Sequence, residues 1–226
     1  MVRTEQAAGG QKPGSQGADA VAAAIARDIS SGQFGNGAWL KQVDIEDRYR
    51  CTRADARRAL EALALKGAVQ RIPQRGYYVT VIDERSHREL VDVRVILEAA
   101  TIPSIVERAT EIDIADLKRL AERFAVSIRH GDAAEKYNAN RAFHVRFTQL
   151  CGNRELVKLA LDVRGHLPAT PIAQWRSQAR IERSCDEHFM MIDALAARDV
   201  ARLAHLVTIH IRQPEDDERS AHQSPL

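Results

Sequence analysis

Apolar and polar residues follow a helical spacing over most of this chain and a strand-like spacing in one short stretch. From Ala18 to Ser31 apolar residues recur every three or four positions, which predicts a helix. A short helix is predicted from Asp44 to Arg48, and the next begins at Thr52 after a tight turn. Val69 to Ile72 and Tyr77 to Val81 are rich in β-branched and aromatic residues and predict two strands around a Pro-Gln-Arg-Gly turn. Two short helices and a hairpin should therefore follow one another.

Beyond the hairpin the spacing is helical throughout. Six helices with short connections are predicted, and the longest break, from His166 to Gln174, contains two prolines. The predicted bounds are Ser86 to Arg108, Ile114 to His130, Ala133 to Cys151, Glu155 to Gly165, Arg176 to Arg198 and Val200 to Arg212. Helices of this length with short connections pack as a bundle around one core.

The expected fold class is mainly α, in two domains. A winged helix-turn-helix, in which the small β-hairpin is the wing, should occupy residues 18–81, and an all-α six-helix bundle should occupy residues 82–213. Residues 1–17 and 214–226 are expected to be disordered tails. A chain of 226 residues that is 45% hydrophobic can bury two separate cores.

Composition narrows the class of protein further. The chain has no run of about 18 apolar residues and no apolar signal-peptide core near its start, so we expect a cytoplasmic protein without a membrane partner. Its three cysteines are far apart and lack metal-finger spacing, which favours reduced thiols. Residues 1–80 carry 12 Lys and Arg against 8 Asp and Glu, whereas residues 81–226 carry 21 against 23. A polyanionic partner would therefore bind the first half.

The helix that begins at Thr52 is basic on one side and apolar on the other. Thr52 and Asp55 have the spacing of a capping box, which fixes the first turn. Arg53 and Arg57 lie one turn apart, at the end that a helix-turn-helix inserts into a major groove. Such arginines can pair with guanine or clamp a phosphate, and the sequence leaves open which of the two they do. A solvated face with ordinary ion pairs is the alternative.

The hairpin turn carries a second basic feature. Gly76 can adopt the positive φ of a tight turn, and Arg75 beside it would project from the tip. An arginine in that position can enter a minor groove, where the electrostatic potential is most negative. Helix and hairpin together therefore indicate a DNA-binding domain.

Residues Ala18 to Val81 resemble the amino-terminal winged helix-turn-helix of the GntR family of bacterial transcription regulators. The resemblance implies that Arg53, Arg57 and Arg75 contact operator DNA. The positions that follow the family pattern are Gly37, Leu40, Thr52, Arg53, Arg57, Ala59, Leu60, Leu63, Gly67, Pro73, Arg75, Gly76 and Val79.

Three departures from the family pattern concern the second helix of the motif. Family members usually have Ser, Pro and Glu where this chain has Thr52, Asp55 and Arg58. Thr still caps the helix, Asp55 adds a carboxylate that can cap or accept a hydrogen bond from cytosine, and Arg58 adds a positive charge. We therefore expect the operator sequence of this protein to differ from the operator sequences of its relatives. The candidate DNA-binding residues are Thr52, Arg53, Arg57, Arg58, Arg75 and Gly76.

Three histidines of the predicted bundle lie on apolar helix faces. Asn140 and His144 are four residues apart and share one face, while His188 and His210 each continue an apolar stripe of their own helix. A single histidine on such a face is usually a core residue. Three of them on neighbouring helices instead favour a site for a divalent transition metal, because imidazole is the commonest side-chain ligand for such an ion.

This half of the chain resembles the FCD effector domain of the FadR branch of the GntR family, and its six helices resemble the VanR-like subgroup. The motif residues are Arg94, Glu98, Asn140, His144, Gly152, Asn153, Glu187, His188 and His210. The resemblance implies that His144, His188 and His210 hold a divalent ion, zinc or nickel, beneath an effector. Asn140 stands where most members have Asp, so the ion should be held less tightly, and an effector carboxylate would complete its coordination.

Arg94 is the candidate anchor for that effector. It lies on the inward face of the first bundle helix, where an unpaired guanidinium is costly, so it needs an anion. The anion is either Glu98, four residues on, or the carboxylate of a bound effector. Trp175 and Ser184 are further candidates for the lining of the same cavity.

The expected function is that of a DNA-binding transcription regulator whose affinity for operator DNA responds to a small organic acid. Repression that the acid relieves is the expected sense, and activation is the alternative that the sequence leaves open. A homodimer would read the two half-sites of a palindromic double-stranded operator. A metal-dependent enzyme is one alternative, although only Glu187 offers a general base near the histidines, and its place beside His188 points it to another helix face. A pure metal sensor is the other alternative.

Overall fold

The computed structural model describes residues 17–166 and 178–222, with side chains described up to residue 165 in the first range and from 178 to 212 in the second. Contacts divide the chain into two compact units. Of the described residues, 17–27 and 37–80 form the first unit, and 28–36, which include the last three residues of the first helix, join those from 81 onward in the second.

The first unit is a small α+β fold with one three-stranded sheet. Its elements are α1 (Ala18–Ser30), β1 (Trp39–Leu40), α2 (Gln42–Tyr49), α3 (Arg53–Leu65), β2 (Val69–Ile72) and β3 (Gly76–Val79). The strands lie in the order β1-β3-β2, and both pairings are antiparallel. The predicted helices and hairpin are present, but α2 begins two residues earlier than the predicted Asp44. Strand β1 was not predicted, because two residues are too few to show an alternating pattern.

The core of the first unit comes from the apolar faces of its helices and sheet. The side chains that are at most 2% exposed are Val21, Ile25, Leu40, Ile45, Ala56, Ala59, Leu60, Leu63, Val69 and Val79. In α3 the buried positions recur every three or four residues, which leaves the intervening positions on the outside. Packing of α3 on α2 and on β2 therefore fixes which of its side chains face solvent.

The second unit is built from six helices in the described residues. These are α4 (Glu84–Arg108), α5 (Glu111–His130), α6 (Ala133–Gln149), α7 (Arg154–His166), α8 (Gln178–Ala196) and α9 (Val200–His222). Helices α4 and α5 start two and three residues before their predicted starts, because Asp83 and Thr110 act as N-caps. True capping boxes open α5, through Thr110 and Asp113, and α6, through Asp132 and Glu135.

Helix α9 runs on to His222, whereas the sequence analysis ended it at Arg212 and assigned residues 214–226 to a disordered tail. Proline at position 214 suggested the earlier end, because proline in a helix interior removes a hydrogen bond. The residues after it are mostly Glu, Asp, Arg and Ala, several of which form helices readily, and the helix continues through them. Residues 223–226 lie outside the described range.

The helices of the second unit surround one apolar core. Helix α5 contacts α6 and α8, α9 contacts α4 and α8, and α7 contacts α4 and α6. Fully buried side chains at the centre include Ile102, Ile105, Leu117, Phe143, Met191, Leu195 and Leu203. The core therefore brings α6, α8 and α9, which carry the three histidines, against a common interior.

A set of ion pairs and a close-packed turn hold α6 against α5. Arg146 donates hydrogen bonds to Asp113 and, at 2.8 Å, to Asp116, and the Arg146 contact contributes most to holding the pKa of Asp116 below its usual value. Gly131 stands at the turn between the two helices, where an added Cβ would lie 2.8 Å from the Ser127 carbonyl oxygen. A side chain at position 131 would push the turn apart.

The three cysteines are thiols, as predicted, and Cys151 and Cys185 are buried. Burial raises the pKa of the Cys185 thiol to about 11, so it remains protonated and unreactive near neutral pH. Among the described helices, none is both long enough and apolar enough to cross a membrane.

Candidate functional site

A tight turn joins α2 to α3 in the first unit. Arg50 ends α2 in the left-handed conformation, with φ 50°, and Thr52 caps α3 two residues later. The side-chain amide of Gln42, at the start of α2, donates a 2.7 Å hydrogen bond to the carbonyl oxygen of Arg53. The two helices are thus joined at the end of α3 where its arginines are found, which is the arrangement of a helix-turn-helix.

The first turn of α3 is closed by a network around Asp55. The Thr52 hydroxyl accepts from the Asp55 backbone N–H at 3.1 Å and donates its own proton to the Asp55 carboxylate at 2.6 Å. Arg58 donates to the other carboxylate oxygen at 2.7 Å. The Thr52 and Arg58 hydrogen bonds hold the pKa of Asp55 below its usual value. The predicted cap is present, and the hydroxyl proton of Thr52 is committed to Asp55.

The arginines of this turn are exposed. Arg53, Arg57 and Arg58 all lie on the solvent side of α3, and Arg57 has only a long contact of 3.9 Å with Glu61. Such an exposed pair contributes little to stability, so Arg57 can exchange it for a phosphate or a base. Asp55, by contrast, is buried, and its carboxylate contacts the Arg58 side chain alone of these three.

The hairpin tip presents Arg75 between two residues of positive φ. Gly76 has a φ of 108°, as predicted, and Gln74 has a φ of 63°, which was not predicted because glutamine seldom adopts a positive φ. Arg75 donates its backbone N–H to the Ile72 carbonyl oxygen at 3.1 Å, and its side chain is exposed. The turn therefore presents the arginine outward on a short, closed loop.

The three histidines of the second unit meet in its interior. His144 of α6, His188 of α8 and His210 of α9 are buried. The Nε2 atom of His144 lies 3.0 Å from Nε2 of His188 and 3.0 Å from Nε2 of His210. All three rings offer a nitrogen within 4.8 Å of the others, which is the spacing of a group that could share one metal ion.

Burial sets the protonation state of these rings. Loss of solvent lowers the pKa of His210 to about 3 and lowers the pKa of His144 and of His188 well below the usual value. The positive charge of Arg164 lowers each of the three further. The imidazoles are therefore neutral near pH 7 and keep the lone pairs that a metal ion requires.

Neighbouring side chains orient the rings. Phe143 stacks on His188 with ring centroids 4.0 Å apart and a 15° angle between the planes. Nδ1 of His210 lies 2.7 Å from the carboxylate of Glu187. Glu187 precedes His188 on α8 and was expected to point to another face; it does leave the His188 face, but it reaches α9 and contacts the histidine there.

Asn140 lies one turn before His144 on α6, as predicted. Its side-chain oxygen is buried and has no hydrogen-bond partner among the described residues. A buried amide oxygen without a donor costs free energy unless something else satisfies it. The same holds for Nδ1 of His188.

Arg94 pairs with Glu98, which was one of the two alternatives for it. Its Nε lies 2.6 Å from one carboxylate oxygen, and Arg164 of α7 shares that oxygen at 3.0 Å. Burial alone would raise the pKa of Glu98, but the two guanidinium groups outweigh it and the pKa falls below its usual value. Two positive charges thus share one negative charge in a buried place.

This charged group is close to the histidines. The charges of Arg94 and Arg164 lower the pKa of both His144 and His210, and the charge of Glu98 acts on His210 in the opposite direction. Ser184, a predicted lining residue, is buried on α8 one turn before His188. Trp175, the other predicted lining residue, lies outside the described residues.

Comparison with known proteins identifies both units. Residues 18–79 match the bacterial regulatory proteins of the gntR family, and residues 89–213 match the FCD domain. The chain belongs to the GntR family. It is a DNA-binding transcription regulator of the type that carries an FCD domain, in a family of regulators and not of enzymes.

Relatives of this GntR-family regulator cover most of its length. The HTH-type transcriptional repressor GlaR of Escherichia coli is 26% identical over 84% of this chain and 90% of its own, and the gluconate operon transcriptional repressor of Bacillus subtilis is 24% identical over 76% and 73%. Among solved structures, Escherichia coli McbR/YncC has a TM-score of 0.81 at 21% identity and covers 91% of this chain and 98% of its own. A likeness at that identity shows the fold.

Sequence reasoning missed two charged residues in the interior of the FCD domain, Arg164 and Arg180, and gave a third, Glu187, too little weight. Arg164 continues the inward positions Val157 and Ala160 on α7, the same signal that drew attention to Arg94, and it was open to the same inference. Arg180 of α8 is buried, and its charge also lowers the pKa of His210. Glu187 was noticed only as a weak candidate for a base.

We expect Glu98→Gln to destabilise the FCD domain by about 3 kcal/mol, because it leaves two buried guanidinium groups without their shared counter-charge. Unfolding in urea at pH 7 measures the loss. A small dicarboxylate such as succinate should restore part of the lost stability by supplying the missing charge.

Glu89→Gln is the matched control for this change. Glu89 lies on the same helix and pairs with Arg85, but its side chain is 63% exposed, so its removal should cost less than about 0.5 kcal/mol. Equal losses in the two variants would contradict the role given to the buried pair.

Proposed function

We propose that this regulator binds operator DNA through the arginines of α3 and the hairpin tip, and that a small carboxylate bound beside a histidine-held divalent ion controls its affinity for that DNA. The observation that carries the proposal is the meeting of three buried histidines, in which Nε2 of His144 lies 3.0 Å from Nε2 of both His188 and His210. Repression that the acid relieves is the sense we favour, since relatives include proteins named as repressors.

The DNA-contacting residues follow from exposure and charge. Arg53, Arg57 and Arg58 project from the first two turns of α3, and Arg75 projects from the hairpin tip with Gly76 shaping the turn. An arginine at the start of a recognition helix can read guanine in the major groove, and one on a wing can enter the minor groove. Thr52 serves mainly as the cap that holds this surface. A bacterial transcription regulator acts where the operator DNA is, so the cytoplasm is the location we propose for it.

The histidine centre fits a divalent ion. Nitrogens bound to one ion at about 2.1 Å should lie roughly 3.0 to 3.4 Å apart, depending on the coordination geometry. The two 3.0 Å separations agree with that range. His144, His188 and His210 would hold the ion, with the buried oxygen of Asn140 as a fourth ligand. Imidazole ligands suit zinc and nickel alike. When bound, the ion would attract and orient a carboxylate.

The charges beside this centre favour an acid as the effector. Arg94, Arg164 and Arg180 carry three positive charges, and Glu98 and Glu187 carry two negative charges, which leaves a surplus of one. Four neutral ligands add nothing to offset a divalent ion, so the surplus with the ion becomes three. A ligand with more than one carboxylate would balance this charge best. Two relatives are named for a gluconate operon, and gluconate is itself a carboxylate.

Control of DNA affinity would arise by linkage. An acid that binds one conformation of the FCD domain better than another shifts the population of DNA-competent protein. A pure metal sensor remains as the second candidate, because the three histidines alone form a metal-sized group. The two differ in whether metal alone releases DNA or an acid is also needed.

We also propose that the regulator acts as a homodimer on a palindromic operator. Helix α4 is apolar on its buried face and also carries Val93 and Ile96 on its exposed face. Leu159 is exposed on α7, which packs against α4. An apolar surface across two adjacent helices is what a second copy of the same chain would cover.

Replacing Arg53 with Ala should weaken binding to DNA selected by the wild-type protein from a random pool, by about 1 to 3 kcal/mol or roughly 5- to 150-fold. Fluorescence anisotropy with the selected duplex and with a scrambled duplex measures the change. Weaker binding to both duplexes indicates a phosphate contact, and weaker binding to the selected duplex alone indicates a base contact. Arg85→Ala, at an exposed arginine of α4, is the control, and equal affinity of Arg53→Ala and wild type would refute the assignment.

Zinc or nickel together with a small dicarboxylate should raise the melting temperature of the metal-stripped protein more than either does alone. A ligand at 100 times its dissociation constant stabilises the folded state by about 2.7 kcal/mol. His144→Ala should abolish the effect, because this ring contacts both of the others, whereas His205→Ala, at an exposed histidine of α9, should not. Asn140→Asp should bind the ion more tightly and make it less dependent on the acid. A wild-type protein that takes up no ion with or without acids would rule out the metal.

Ile96→Glu should shift the protein from dimer to monomer in analytical ultracentrifugation, since a carboxylate in a buried apolar contact has no partner. Ile112→Glu is the control: Ile112 is 81% exposed, against 68% for Ile96, and belongs to α5, which is neither of the two helices of that surface. The surface is wrongly placed if both variants sediment as the wild type does.

A further inference from the structure

We infer that Glu187 is a positioning residue for the histidine centre, holding His210 in the tautomer whose proton is on Nδ1 and whose Nε2 lone pair faces His144. This inference rests on the proposed metal site and adds to it a residue that does not touch the ion. The observations are the 2.7 Å contact between the Glu187 carboxylate and Nδ1 of His210, and the burial of both side chains.

The tautomer follows from the chemistry of the pair. A carboxylate only accepts hydrogen bonds, so a ring nitrogen at 2.7 Å from it must carry the proton. A neutral imidazole has one N–H, and Nε2 of His210 is then the nitrogen with the lone pair. That nitrogen is the one that lies 3.0 Å from Nε2 of His144, where the ion would be shared. Glu187 therefore selects the ligating atom of His210.

The three rings are not held in the same way. Nδ1 of His188 has no hydrogen-bond partner among the described residues, and that ring is oriented by stacking on Phe143. Nδ1 of His210, by contrast, has an anionic partner. A carboxylate behind a ligating histidine fixes the ring and makes it a stronger electron donor. Of the two rings that flank His144, the His210 ring should therefore be held more firmly than the His188 ring.

The substitution at Asn140 gives this contact particular weight. An amide at position 140 leaves the ion with four neutral ligands, so no negative charge touches it directly. The Glu187 carboxylate contacts the far nitrogen of a proposed ligand, so its negative charge lies one imidazole ring away from the place where the ion would be held. Loss of Glu187 should consequently lower the affinity for the ion more here than it would in a site with an aspartate ligand.

Two variants separate geometry from charge. Glu187→Gln keeps an oxygen that can accept from Nδ1 but removes the negative charge, and Glu187→Ala removes both. Competition with a chelator, with zinc or nickel as the probe, should show weaker binding by about 10- to 100-fold for Glu187→Ala and a smaller loss for Glu187→Gln. Glu182→Gln, at an exposed glutamate of the same helix, should bind as the wild type does. Circular dichroism checks that each variant is folded.

A second measurement does not depend on the ion. In the metal-stripped wild-type protein, nitrogen-15 NMR of the histidine rings should show the His210 proton on Nδ1, and this signal should weaken or move in Glu187→Ala. A proton on Nε2 of His210 in the wild type overturns the inference, as does equal metal affinity of Glu187→Ala and wild type. Absence of metal binding by a wild-type protein whose His210 proton is on Nδ1 overturns the metal proposal and leaves the tautomer assignment standing.

Discussion

Burial of three neutral imidazoles at one point is the constraint on which the FCD domain depends. Desolvation removes their charge, and each ring then offers one lone pair and one N–H that need partners. His144 lies between His188 and His210 at 3.0 Å from each, so α6, α8 and α9 must meet at a fixed depth. A small shift of one of these helices along its neighbour would separate the Nε2 atoms of the histidines. Those atoms are buried, so water could not replace the lost contact.

The buried charges around the histidines depend on the same packing of helices. Arg94 and Arg164 share the carboxylate of Glu98, and Glu187 contacts His210. Ionic groups in such a place seldom add stability over an apolar core of the same shape. Their presence in a regulator is explained if they hold a surplus of positive charge ready for an acid. The domain would then be less stable without the ligand and would gain stability when the acid binds.

The DNA-binding domain uses a carboxylate in a related way, at its surface. Asp55 closes the first turn of α3 by bonding Thr52 and tethers Arg58 at 2.7 Å. The tether reduces the number of positions available to the guanidinium before DNA is met. In both domains a carboxylate that is itself buried directs arginines, and in both the arginines are the groups that would meet an anion.

Local features were readable from the sequence, because they arise between residues at most four or five positions apart. Helix spacing, the Thr52 cap of α3, the positive φ of Gly76 and the shared face of Asn140 and His144 are of this kind, and the family patterns lie on the same residues. Tertiary packing alone decided which distant groups pair: Glu98 with Arg164 and His144 with His210, each 66 positions apart, and Glu187 with His210. It also brought Arg164 to the Arg94–Glu98 pair, so that two guanidinium groups share one carboxylate. The reason is physical, since the periodicity of one helix defines its inward face but does not define the depth or the neighbour at which that face meets another.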